Sequence, residues 1–235
     1  SYGREIDGES HLIELIEAIH PIDGISRIRL GSLEPRIITE EFVGRLKKLH
    51  KVCPHFHLSL QSGCEETLKR MNRHYTPEEY YEKCKLLRAA FENPAITTDV
   101  IVGFPGETEE DFEETLEVVR KVRYDSAFTF IYSKRTGTPA AAMENQVPEE
   151  VVKERFARLL AEVQAISAQV CGRDVHTVQE VLVEEPDSHV EGLVTGRMSN
   201  NTIVHFPGGK ELIGKIVKVY LEESKGFYYM GSLVD

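Results

Sequence analysis

Four short runs rich in β-branched and aromatic residues, Ile25–Leu30, His55–Leu60, Thr97–Val102 and Ala127–Tyr132, start 30, 42 and 30 residues apart. One strand plus one returning helix occupies such an interval, so the spacing predicts βα units joined in a parallel sheet. The segments between the runs agree. Leu12, Leu15, Ile16 and Ile19 keep helical spacing, as do Phe42, Leu46 and Leu49, and then Tyr80, Cys84, Leu87 and Phe91. Thr76-Pro77-Glu78-Glu79 combines an N-cap, a proline at the first helical position and a capping-box glutamate. Thr108 and Asp111 repeat the capping-box spacing.

The pattern changes after Pro139-Ala-Ala-Ala142. Pro148 opens a long helix whose Val152, Phe156, Leu159, Val163 and Ile166 form one apolar stripe, and Cys171-Gly172 closes it. Beyond it, Thr177–Glu184, Val190–Arg197, Thr202–Phe206, Lys215–Leu221 and Phe227–Val234 read as short strands parted by turn-forming residues. That many strands in so short a stretch predict a small closed β-barrel of the OB type. The expected fold class is therefore α/β with a parallel sheet, followed by an all-β barrel. The expected boundaries are a core over 1–145, a connecting helix over 146–171 and the β-barrel over 172–235.

A net charge of −11 argues against a non-specific nucleic-acid binder. The charge is uneven, however. Between Arg45 and Arg88 the bases Arg45, Lys47, Lys48, Lys51, Lys69, Arg70, Arg73, Lys83, Lys85 and Arg88 outnumber the acids, which suits either phosphate contact or a solvated helix face. Cys53, Cys64, Cys84 and Cys171 are scattered and read as free thiols in a reducing cytoplasm. No run is long and apolar enough for a membrane span, and the first residues do not read as the n-region and h-region of a secretory leader. The first residue is Ser1, which raises the expectation that the chain starts inside a longer protein.

The predicted strands end in distinctive loops: Gly31-Ser-Leu-Glu-Pro35, Gln61-Ser-Gly-Cys64, Gly103-Phe-Pro-Gly-Glu107 and Ser133-Lys-Arg-Thr-Gly-Thr-Pro139. In a parallel sheet these loops share one rim and form a ligand mouth. The glycines of the third loop permit close backbone approach, and Glu107 is placed to accept a hydrogen bond from an amino or hydroxyl group. Simple turn chemistry is the alternative for each loop alone.

His57-Leu-Ser-Leu-Gln-Ser-Gly63, Leu68-Lys-Arg-Met-Asn-Arg73, Asp99-Val-Ile-Val-Gly-Phe-Pro-Gly-Glu-Thr-Glu-Glu-Asp-Phe112 and Tyr132-Ser-Lys-Arg-Thr-Gly-Thr-Pro-Ala-Ala141 together resemble the radical S-adenosylmethionine methylthiotransferases. The β-rich end resembles their TRAM domain, a small RNA-binding barrel. The resemblance implies that the first part is a partial (β/α) barrel. It also implies an enzyme in which an iron–sulfur cluster cleaves S-adenosylmethionine, a second cluster supplies sulfur, and a further S-adenosylmethionine supplies a methyl group to a tRNA adenosine. Such cofactors carry the chemistry while the protein orients them. It further implies that Gln61 and Ser62 contact the ribose or methionine part, and that Gly103, Pro105 and Gly106 shape the floor near the adenine. Glu107 is expected at the mouth, and Arg135 is expected to meet a carboxylate or phosphate, with a plain surface arginine in a loop as the alternative. The loops Gly31–Pro35 and Ser59–Cys64 look most like the branch acting on N6-threonylcarbamoyladenosine. The branches acting on isopentenyladenosine or on a ribosomal protein are the alternatives, as is a non-catalytic RNA-binding remnant. A reducing partner such as flavodoxin or ferredoxin is compatible with this chemistry.

One departure matters. The family's Cys-x3-Cys-x2-Cys motif is absent, so the ligands of both 4Fe-4S clusters are expected outside this chain, and the piece is expected to be inactive alone. In the barrel, acids outnumber bases, so tRNA is expected to be positioned weakly there, with the Arg45–Arg88 region helping. Arg197, Asn200, Asn201 and His205 are the candidate RNA contacts, and a plain hairpin tip explains them equally.

Overall fold

β3 (Ala95–Val102), rich in β-branched residues, lies inside the sheet with a strand on either edge. The structure, a computed structural model, describes residues 2, 3, 8 and 10–234. Within it, β1 (Ser32–Leu33), β2 (His55–Leu58), β3 and β4 (Ser126–Ile131) form a parallel sheet in the order β1-β2-β3-β4. Helix α1 (Leu12–Ile19) precedes the sheet, and α2 (Glu40–Leu46), α3 (Glu65–Arg70), α4 (Pro77–Ala90) and α5 (Glu109–Val122) lie between its strands. Both predicted capping boxes form: Thr76 with Glu79 starts α4, and Thr108 with Asp111 starts α5.

The first predicted strand is displaced. Ile25–Leu30 contributes only a single bridge, Ile28 to Val52, and regular pairing begins at Ser32 with His57. The offset between partners changes from 24 to 25 across this gap, by subtraction of those numbers. The His55 N–H, whose side of the strand faces the gap, donates within its own segment to the Cys53 carbonyl at 2.8 Å, so the ladder from Cys53 to Ile28 does not continue there.

Only one face of the sheet is sealed by helices. Phe56, Leu58, Leu60, Ile96, Val100 and Val102 are buried with Tyr80, Leu87, Phe112 and Leu116. Tyr80 donates its hydroxyl hydrogen to the Leu58 carbonyl at 2.8 Å, and Tyr124 donates to Tyr80 at 3.1 Å, so the buried phenols are satisfied. The opposite face carries His57, Ser59, Thr97 and Asp99 beside Phe128 and Phe130, which are 55% and 49% exposed.

After β4 come a short helix, α6 (Pro139–Ala142), and a long one, α7 (Glu149–Cys171). The chain divides into two compact units, Ser1–Val163 and Gln164–Asp235. In the second, β5 (Val178–Pro186), β6 (Leu193–Met198), β7 (Ile203–Pro207), β8 (Ile216–Ser224) and β9 (Tyr228–Leu233) close in the order β5-β6-β7-β9-β8. Val181, Val183, Val194, Val204, Phe206, Val219, Leu221 and Tyr229 fill its interior. Gly196 and Gly231 let the walls close, since a Cβ at either would lie 2.6 Å or 2.5 Å from a neighbouring carbonyl oxygen. The fold class is therefore α/β with a separate five-stranded closed barrel. Among the described residues no helix is long and apolar enough to cross a membrane.

Candidate functional site

The uncovered sheet face opens into a cavity of about 580 Å³ at the carboxyl ends of the strands. Gln61, Asp99, Ile101, Phe104, Tyr132 and Arg135 are among its walls. Pockets of a few hundred cubic ångströms at this end of parallel strands are where open α/β folds bind small molecules. Sequence reasoning named Gln61 and Arg135, and the structure brings both to this cavity. Gln61 also has a φ of +68°, rare for a residue with a side chain. Its N–H donates to the Asp99 carbonyl and its carbonyl accepts from the Ile101 N–H, so the strained residue is pinned to β3 from both sides.

Ser62 is placed differently. Its hydroxyl is buried 3.3 Å from the Thr115 hydroxyl on α5 and accepts the Cys64 N–H, so it fixes the loop to a helix instead of lining the cavity. Gly103, Pro105 and Gly106 form the turn after β3, with φ of +77° and +82° at the two glycines. Pro105 followed by Gly106, closed by the Glu107 N–H donating to the Phe104 carbonyl, is the sequence and conformation of a type II turn. The turn aims Phe104 at the cavity. Glu107, expected at the mouth, is instead 6% exposed. Its carboxylate accepts the Gly103 N–H and an Arg155 N–H, each at 3.0 Å. Burial pushes the Glu107 carboxyl above the ordinary carboxylate value, while Gly103 and Arg155 pull it back.

Sequence reasoning missed a polar row on the open face. Asp99 accepts from the Ser59 hydroxyl at 2.8 Å and lies 3.0 Å from His57 Nε2, and His57 Nδ1 is 3.0 Å from the Thr97 hydroxyl. The signal was present as alternation: His57 and Ser59 interleave with Phe56, Leu58 and Leu60, and Thr97 and Asp99 do the same on β3. The Tyr132 hydroxyl, also unnoticed, is buried without a hydrogen-bond partner among the described residues. A polar atom left so invites a ligand or water.

The RNA candidates are placed by the β6–β7 hairpin. Arg197 donates to Glu184 and to the Asn201 carbonyl, Asn200 accepts the Thr202 N–H, and Asn201 takes the left-handed turn position. His205 lies further along β7, with Nδ1 2.6 Å from Asp187. All of them have intramolecular tasks. The basic Arg45–Arg88 region is also partly spoken for. Arg45 pairs with Glu14 and Glu17, Lys69 with Glu65 and Glu66, and Arg70 with Asp111. Lys85 pairs with Glu82, and Arg88 donates to the Arg123 carbonyl.

These residues fit one expected cofactor and not the other. Apolar Ile101 and Phe104 beside a carboxamide, a carboxylate, a guanidinium and an unpaired phenol suit a nucleoside with a zwitterionic tail, as in S-adenosylmethionine. For an iron–sulfur cluster the fit fails. Cys53, Cys64 and Cys84 are buried apart, burial holds the Cys64 and Cys84 thiols above their ordinary value, and among the described residues no His, Cys, Asp or Glu converge in threes.

Comparison with known proteins bears on both units. A family model described as the Radical SAM superfamily matches residues 1–119, and one described as the TRAM domain matches residues 172–234. The tRNA-2-methylthio-N(6)-dimethylallyladenosine synthase of Lachnoclostridium phytofermentans is 50% identical over 235 residues, 100% of this chain and 52% of that protein. The protein of the same name from Alkaliphilus oremlandii is 45% identical over 235 residues, 100% of this chain and 50% of that protein. The chain thus spans about half the length of the curated relatives it matches. Coproporphyrinogen III oxidase (HemN) from Escherichia coli shares the fold, with a TM-score of 0.53 at 16% identity over 96% of this chain and 55% of that one.

The threonylcarbamoyladenosine branch expected from the Gly31–Pro35 and Ser59–Cys64 loops is overturned by these relatives, which carry the dimethylallyladenosine name. The geometry shows why those loops misled. Pro35 is buried in a 3-10 turn, Ser59 is tied to Asp99, and a Cβ on Gly63 would lie 2.5 Å from the Thr115 Cα. Pro35, Ser59 and Gly63 thus answer to the scaffold. With its parallel sheet inside the 1–119 match and its closed barrel inside the 172–234 match, the chain belongs to the Radical SAM superfamily and carries a TRAM domain.

Proposed function

We propose that the chain is the S-adenosylmethionine-holding and tRNA-engaging part of an enzyme that methylthiolates N6-dimethylallyladenosine in tRNA. The observation that carries this reading is identity of 50% across the whole chain with a synthase of that name, combined with a cavity whose donors suit an adenosyl ligand. Bound S-adenosylmethionine would supply the radical that takes hydrogen from the base, given an electron from a cluster held outside this chain, and a further S-adenosylmethionine would supply the methyl group. The residues of this chain have simpler tasks. Gln61 and Asp99 hold hydroxyl or amino groups, Arg135 meets the carboxylate, and Phe104 covers an apolar ring and excludes water. Iron–sulfur ligands would have to come from outside these residues. Nucleotide contact falls to the β6–β7 hairpin and to those bases of the Arg45–Arg88 region that make no internal ion pair.

Mass spectrometry of tRNA nucleosides from a strain lacking the gene tests the reading. Loss of 2-methylthio-N6-dimethylallyladenosine, with accumulation of the form lacking the methylthio group, is the expected result. An unchanged level of that nucleoside would overturn it.

A further inference from the structure

Glu107 is too buried and too occupied to greet a ligand, which raises the question of what a charged side chain does there. Its partner is Arg155 on α7, 48 residues later in the chain and 4% exposed. The Arg155 Nη1 donates both to the Glu107 carboxylate and to the Glu107 carbonyl, each at 3.0 Å. Arg155 Nε donates to Glu109, and the guanidinium sits 5.8 Å from the Phe112 ring centroid. The same Glu107 oxygen that meets Arg155 accepts the Gly103 N–H. A continuous chain of hydrogen bonds therefore runs from α7 through Glu107 to the residue that ends β3. On its far side the turn has two further anchors, since the Gly106 N–H donates to the Asn145 carbonyl and the Gly106 carbonyl accepts from Arg70. Val152, one turn before Arg155 on α7, fills the space beside Gly103, where a Cβ would come within 2.6 Å.

We infer that Arg155 is a positioning residue for the cavity, acting through Glu107 to hold the Gly103–Glu107 turn in the one conformation that presents Phe104 to an adenosyl ligand. This rests on the proposed reading that the cavity takes S-adenosylmethionine. Replacing a buried ion pair by apolar groups is often neutral for stability, so an ion pair at this spot is better explained by the shape it imposes than by the energy it contributes. The turn needs imposing: both its glycines sit at positive φ, and glycine loses more freedom on ordering than any other residue. Both partners of the pair lie outside the cavity walls, so a substitution at Arg155 reaches the ligand only through the turn.

The test uses the full-length protein, comparing the parent with Arg155→Met, Arg155→Lys and Glu107→Gln. S-adenosylmethionine affinity is read by equilibrium dialysis, and amide hydrogen exchange is read over the Gly103–Glu107 peptide. Arg155→Met is expected to weaken S-adenosylmethionine binding about tenfold or more and to speed exchange in the turn. Arg155→Lys, which restores one donor, should recover part of both, and Glu107→Gln, whose amide oxygen still accepts from Gly103, should lose less than Arg155→Met. If Arg155→Met fails to fold, the ranking of parent, Arg155→Lys and Glu107→Gln carries the same information. Unchanged exchange in the turn, or faster exchange with unchanged affinity, would overturn the inference. A parent protein that binds no S-adenosylmethionine would instead sink the proposed function, and the exchange data would still decide whether the latch exists.

Discussion

Gly63 has no room for a side chain. A Cβ there would lie 2.5 Å from the Thr115 Cα and 2.7 Å from the Glu114 carbonyl, both backbone atoms of α5 that cannot swing aside. Gly63→Ala should therefore force the Gln61–Cys64 loop off the helix and cost about 1–3 kcal/mol, the usual scale for overpacking. Urea denaturation would show this as a lower midpoint at unchanged slope, and an unshifted midpoint would mean that the loop relaxes freely. The same residue shows what a reader of sequence can and cannot see. Its glycine signals a special site, but only the structure says whether a ligand or a helix occupies the space.

Local elements were the most legible. Thr76 with Glu79 and Thr108 with Asp111 announce their helices because capping is settled within four residues of chain. Features made by distant partners were not legible. Arg155 finds Glu107 across 48 residues, and His57 finds Asp99 across 42, so no local pattern joins them. The true start of the first strand was hidden for the same reason, since the His55 N–H that turns back to Cys53 lies in the neighbouring strand and not in its own segment. At this scale the β5–β6 connection also makes a prediction. Asp187 accepts the N–H groups of His189 and Val190 and lies beside His205, which holds its carboxyl below the ordinary aspartate value. A depressed folded value means the ionised form is favoured by folding, so the contribution is present above the ordinary value and fades as pH falls through the folded one. Asp187→Asn should thus lower barrel stability at neutral pH and converge with the parent in strong acid, as followed by circular dichroism. Parallel pH curves for the two proteins would refute the assignment.

For the whole molecule, two kinds of order meet: a parallel sheet sealed on one face, and a closed barrel with no free edge among its described strands. The scattered cysteines, three of the four buried, predict that anaerobic treatment of this 235-residue chain with iron and sulfide leaves no stoichiometric, reducible cluster, as judged by absorbance and iron analysis. A stable cluster would mean that the fold rearranges to bring thiols together. The sheet's open face has a further consequence. β4 is one of its two outer strands among the described residues, and Ala127-Phe-Thr-Phe-Ile-Tyr132 holds no charge, no proline and no glycine. Ile131 adds 46% exposure to that of Phe128 and Phe130. An edge of that composition, with no described strand paired to it, is a template for strand addition by another copy. The feature that leaves room for a ligand thus also makes solubility of the isolated chain a matter of concentration, with clumping through β4 as its characteristic mode of failure.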